Sequence, residues 1–188
     1  MIGRIQTLVA SAVFALATTT SAHAATITYT NINPTPVMQL IVDDAPSGVA
    51  EGTYRFSLST TVGTADYLAL GFNIAGSGDL ITDSQISFVS ATNASDQLIT
   101  PTLALYGNNT GSQNDCKQGC NFNGSGSATL FDYIIKIGSQ GGNATDFVKT
   151  IVFDIVFTGA FEENPFSQFG VRAQSTTISG GSIKANLT

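Results

Sequence analysis

Residues 54–59 read Tyr54-Arg55-Phe56-Ser57-Leu58-Ser59, large apolar side chains alternating with polar ones. A period of two sends successive side chains to opposite faces, as in a β-strand with one face packed and the other wetter. The same period recurs on both sides of this stretch. Leu68, Leu70, Phe72 and Ile74 alternate with Ala69, Gly71 and Asn73. Phe131, Tyr133, Ile135 and Ile137 form a third set. Ile151, Phe153, Ile155 and Phe157 form a fourth, with Asp154 pointing the other way, and Phe169, Val171 and Ala173 a fifth. Residues 25–31, 37–43, 84–91, 102–106 and 182–187 are weaker strands of the same kind. Gly and Asn clusters at 75–79 and 138–143 punctuate the runs. No stretch sustains a 3.6-residue period over three turns. A short helical turn near residues 143–149 is the one helical expectation, with Ala144-Thr145-Asp146 as its cap. About ten short strands joined by polar turns predict an all-β fold, an antiparallel β-sandwich of the jelly-roll or cohesin-like kind.

The first 24 residues read as a secretory signal peptide. Arg4 begins it, an apolar run covers residues 8–17, and Ala22-His23-Ala24 is the small-x-small cleavage site. Cleavage there leaves residues 25–188, a length suited to one β-sandwich domain. It also removes His23, the single histidine, and takes the formal net charge of −6 to −7 with the loss of Arg4. Charged residues make up 11% of the chain, and an acidic chain without a basic stripe repels phosphate backbones, so nucleic acid is excluded as a partner. No apolar segment after the signal is long enough to span a bilayer. The expected location is secreted, extracellular or at a bacterial cell surface.

Loss of His23 removes Ser-His-Asp catalysis, and no Gly-x-Ser-x-Gly or phosphate-cradling loop is present. Glu162 and Glu163 adjoin Asn164-Pro165, which is turn chemistry, and adjacent residues of an extended strand face opposite ways. They make a poor acid/base pair, and the expectation is a protein that is not an enzyme. Residues 107–126 form a long Gly/Asn/Ser-rich segment containing Cys116 and Cys120. In an oxidising compartment this close pair predicts a local disulfide that shapes the loop. A zinc site would need further Cys or His ligands. Asp43-Asp44, Asp79 with Asp83, and Asp115 are calcium candidates by their loop-carboxylate chemistry, although none matches the Asp-x-Asp-x-Asp-Gly pattern. No other cofactor is expected.

Two surfaces stand out as candidate sites. Tyr106, with Asn108, Asn109 and Asp115 in the long loop, is a candidate ligand loop in which the ring would serve as a sugar platform. Thr26, Ile27, Thr28 and Tyr29 alternate in a way suited to adding onto a neighbour's sheet edge, ahead of the Pro-containing hinge Asn33-Pro34-Thr35-Pro36.

Three segments together, residues 65–73 (Ala-Asp-Tyr-Leu-Ala-Leu-Gly-Phe-Asn), 131–138 (Phe-Asp-Tyr-Ile-Ile-Lys-Ile-Gly) and 169–175 (Phe-Gly-Val-Arg-Ala-Gln-Ser) with the trailing Gly180-Gly181-Ser182, carry a family resemblance. The chain resembles the exported β-sandwich proteins of the bacterial PEP-CTERM (exosortase-sorted) group, without that group's C-terminal sorting tail. The resemblance implies an extracellular or surface protein of biofilm-matrix type and supplies no catalytic residues. The functional expectation is a secreted structural or adhesive protein that self-associates or joins other matrix components. Its alternative is a secreted carbohydrate-binding module that takes a polysaccharide.

Overall fold

Among the described residues ten strands are laid down in chain order: β1 (Thr26–Thr30), β2 (Val37–Asp43), β3 (Thr53–Val62), β4 (Asp66–Ile74), β5 (Ile86–Thr92), β6 (Ala104–Gly107), β7 (Tyr133–Lys136), β8 (Thr150–Val156), β9 (Phe166–Gln174) and β10 (Ser182–Leu187). This computed structural model describes residues 25–31, 35–75, 81–117, 120–123, 130–140, 146–157, 164–177 and 181–188. The strands form two five-stranded sheets, ordered β1-β2-β3-β8-β5 and β10-β9-β4-β7-β6, and every pairing is antiparallel. Consecutive strands change sheet at β3 to β4, β4 to β5, β5 to β6, β7 to β8 and β8 to β9, so the chain winds around the core as a sandwich. The all-β, antiparallel reading of the sequence holds. A 3₁₀ turn at Asp83–Gln85 precedes β5. The expected helical turn near residues 143–149 falls partly outside the described residues, and residues 146–149 are not helical.

The alternating side chains explain the core. Phe56 and Phe153 are cross-strand partners of β3 and β8, with parallel rings 5.2 Å apart. Phe166 meets Phe56 edge-on at 5.2 Å and Phe72 at 5.7 Å, joining the two sheets, and Phe169 completes the cluster. Edge-to-face ring pairs of this kind add about 0.5–1.5 kcal/mol beyond their burial. Asp154, which interrupts an apolar run, lies opposite Arg55 on the outer face of the first sheet. The guanidinium donates two bonds of 2.8 Å to the two carboxylate oxygens. At the β1/β10 side Thr30 and Thr188 exchange backbone bonds of 3.1 and 3.0 Å, and Tyr29 packs on Phe169 at 4.6 Å. Buried Asn31 pins β1 to β2, donating from its side chain to Pro36 O and accepting from Met38 N.

Register shifts interrupt β2 at Val37/Met38, β5 at Phe88/Ser90 and β4 at two points, and two departures from the expected alternation bear on the site. A bulge between Tyr67 and Ala69 brings Tyr67 into the main core, its hydroxyl on that of Thr60 at 2.8 Å, and shifts the phase of β4. Phe131, expected in phase with Tyr133, instead lies on the outer face of the second sheet. The reason is Asp132, whose carboxylate accepts Gly111 N and Ile74 N and whose own N–H donates to Asn73, so the backbone turns just before β7 begins.

The Phe131 ring rests against two glycines that face each other across β4 and β9, Gly71 and Gly170. A Cβ on Gly71 would stand 2.5 Å from the ring, and one on Gly170 would stand 2.4 Å from it. Phe122 meets Phe131 edge-on at 4.9 Å, and Cys116, Cys120, Ala69 and Ile134 complete a second, separate apolar cluster. The described part of the long loop is therefore a cap on the outer face of the second sheet. The expected disulfide between Cys116 and Cys120 is present and buried, with Cα atoms 5.1 Å apart. Gly71→Ala is expected to lower stability by about 1–3 kcal/mol through overpacking, and adding Phe131→Leu should recover part of the loss. Urea unfolding midpoints measure both, and an unaltered midpoint in Gly71→Ala would contradict this seating.

Candidate functional site: a cleft beside the capped face

A half-open cleft of about 540 Å³ lies where β6 and β7 end the second sheet. Outward-facing Ala104 and Tyr106 of β6 and Lys136 of β7 line it. Residues 99–102, Ile-Thr-Pro-Thr, make one wall, Ile137, Gly138 and Ser139 a second, and Asp146 with Val148 a third. Each wall is tied to a strand by backbone bonds. Ile99 N donates to Ala91 O at 3.0 Å, and Ile137 N donates to Leu68 O at 2.8 Å. Tyr67 N donates to Val148 O at 2.9 Å. The turn leading to the first wall is held by Asn93, whose side-chain oxygen accepts Ser95 N and Gln97 N. Walls held this way are formed before any ligand arrives, which reduces the ordering cost of binding.

Tyr106 joins the cleft to the cap. It packs against the second apolar cluster, to which Phe122, Phe131 and the disulfide belong, and also lines the cleft. The remaining members of the sequence-predicted ligand loop do not line the cleft. Asn108 accepts the Thr110 hydroxyl, Asn109 adopts a φ of 59°, and Asp115 accepts Lys117 N in the turn of the disulfide loop. These residues shape the cap. Sequence reading passed over Thr100, Thr102, Lys136, Ser139 and Asp146. They come from three separate segments, and no local motif links them.

The carboxylates near the cleft are mostly engaged. Asp66, 1% exposed, stands behind the third wall and accepts Val148 N and the Gln174 side-chain amide, both at 2.8 Å. Burial is the main influence raising its pKa above the ordinary 3.8, with a smaller push from Asp146, while its two hydrogen bonds act in the opposite direction. Asp146 lies on the cleft surface. The calcium candidates lie apart: Asp43 accepts Ala45 N, Asp44 accepts Ala25 N and Asp83 accepts Leu105 N. Asp79, Glu162 and Glu163 lie outside the described residues, as do the signal segment and residues 32–34 of the hinge. Among the described residues no three His, Cys, Asp or Glu gather as a metal group. Also among the described residues, no helix is long and apolar enough to cross a membrane. Thr26, Ile27, Thr28 and Tyr29 lie on β1 at the edge of the first sheet, remote in strand order from the cleft.

No protein family, curated protein or solved structure matches the chain.

The raised pKa of Asp66 gives a pH test. An acid whose folded pKa exceeds its unfolded value opposes folding once ionised, so this contribution worsens as pH climbs from the unfolded value through the raised one. Asp66→Asn cannot ionise and should gain stability relative to the parent as pH rises above about 4. Thermal midpoints of both proteins across that range read the difference. A constant gap, or one that moves against the variant, would contradict the assignment.

Proposed function

We propose that this chain is an exported adhesive protein that holds an extracellular polysaccharide in the Tyr106 cleft and acts by binding, without catalysis. The carrying observation is Tyr106 itself, an aromatic ring backed by a packed cap and bordering a preformed cleft. Sugar rings present an apolar C–H face with hydroxyls at the rim. An aromatic surface suits the first, while Thr100, Thr102, Ser139, Lys136 and Asp146 offer donors and acceptors to the second. Glycoside hydrolysis needs two carboxyl groups across the substrate. Asp146 is the one carboxylate among the described lining residues, and Asp66 lies behind the wall with both oxygens occupied.

Affinity electrophoresis of the purified protein through a panel of polysaccharides tests this reading. At least one polymer should retard the protein, and Tyr106→Ala should weaken retention about tenfold, the upper range for one aromatic contact. Retention unchanged in Tyr106→Ala would move the ligand elsewhere.

A second element of the reading is self-association through β1. This edge strand carries no charged side chain, and Thr26 and Thr28 are exposed. Uncharged edges pair readily with other strands, whereas a lysine on the edge discourages pairing. The Asn31 clamp holds β1 to its own β2, which favours edge-on addition of a neighbour over exchange of the strand. Light scattering across a concentration series should show growing mass for the parent and monomer for Thr28→Lys. Monomer for both at every concentration would remove β1 from the proposal.

A further inference from the structure

The strand registers place Lys184 of β10, Arg172 of β9, Ala69 of β4, Lys136 of β7 and Ala104 of β6 in one row across the outer face of the second sheet. That row runs from the cleft, which Lys136 lines, beneath the capped face to the β10 edge. Three of the seven Lys and Arg residues of an acidic chain share this row, and Lys117 is exposed in the turn of the cap.

Arg172 sets the electrical character of the row. It is 7% exposed, and its guanidinium donates to neutral oxygens: the Ala173 and Ile183 carbonyls and the Ser182 hydroxyl. Its buried Nε has no hydrogen-bond partner among the described residues. The two ion pairs among the described residues engage Arg55 and Lys149, so no carboxylate of that set pairs with Arg172. Dipoles therefore solvate this buried charge without cancelling it, an expensive arrangement that a nearby anion relieves. Lys184 is its cross-strand neighbour, and its ammonium lies 3.1 Å from Asn121 Oδ1 of the cap. Like charges placed opposite each other repel, and burial followed by the Arg172 charge lowers the Lys184 pKa.

None of the acidic groups of this face forms an ion pair with Arg172 or Lys184 among the described residues. Asp132 and Asp66 direct their oxygens to backbone and amide donors, and Asp115 accepts Lys117 N. Asp146 lies on the cleft wall, where it suits sugar hydroxyls.

We infer that the polysaccharide of the proposed site is acidic, with anionic groups met by Lys136 in the cleft and by Lys184 over the buried Arg172 charge. This rests on the glycan reading of the cleft and adds the charge of the ligand to it. Three interstrand spacings, about 14 Å, separate Lys136 from Lys184, so a polymer and not a single sugar bridges them.

Alginate, dextran sulfate and neutral dextran serve as probes in affinity electrophoresis of the purified protein. Alginate should retard the protein more than dextran, and raising NaCl from about 0.05 M to about 0.5 M should weaken the effect. Lys184→Gln should reduce alginate affinity about two- to fivefold, the range for one ion pair near the surface, without lowering the thermal midpoint, since it relieves the repulsion from Arg172. Dextran sulfate bound as tightly as alginate assigns the row to anionic charge of either kind; alginate alone assigns it to carboxylates. Equal retention by dextran, or salt-independent binding, overturns the acidic inference and leaves the glycan reading standing. No retention by any of the three overturns the inference, and failure across the wider polysaccharide panel overturns the glycan reading with it.

Discussion

The contact of Phe131 with Gly71 and Gly170 governs the outer half of this molecule. A sheet face normally turned to water has a bare patch where two paired strands both lack a side chain, and one ring fills it. Burying a phenylalanine contributes about 1.5–3 kcal/mol, comparable with the roughly 2 kcal/mol that closing so short a disulfide loop provides by chain entropy. The disulfide is thus a partner of the aromatic seat and not its substitute. Together they fix the cap, the cap supports Tyr106, and Tyr106 forms part of the cleft. The route from two glycines to the cleft runs through packing, with the disulfide beside it.

The period-two runs carried most of the fold, because alternation follows directly from which face of a strand is buried. Tyr54, Phe56 and Leu58, and likewise Ile151, Phe153 and Ile155, all face the main core as their spacing requires. The failures have physical causes. Phe131 fits the period of Tyr133 and Ile135, but a buried carboxylate at Asp132 bends the chain between them, and periodicity cannot register a side chain that captures two distant backbone N–H groups. Gly71 and Gly170 have no local signal of their use, since the ring that they seat is remote in sequence. Tyr106 was legible as an aromatic residue beside a long loop. The walls were not, because residues 99–102, 137–139 and 146–148 meet only after the sandwich has formed.

Four of the buried polar groups share one use, while a fifth, Asp154, pairs with Arg55. Asn31 holds the β1–β2 connection, Asn93 holds the turn before the first cleft wall, Asp66 holds Val148, and Asp132 holds Gly111 and Ile74. Each side-chain oxygen satisfies a backbone donor that a loop leaves unpaired, and leaving such a donor buried and unmet costs about 1–3 kcal/mol. Carboxylates used this way are structural acceptors. Arg172 departs from this pattern, because its buried charge faces neutral oxygens and a like-charged neighbour. In a chain where other buried polar groups complete the fold's own hydrogen bonds, a guanidinium that no carboxylate of the described residues pairs, opposite a half-buried lysine, is the charge that the proposed acidic ligand would meet.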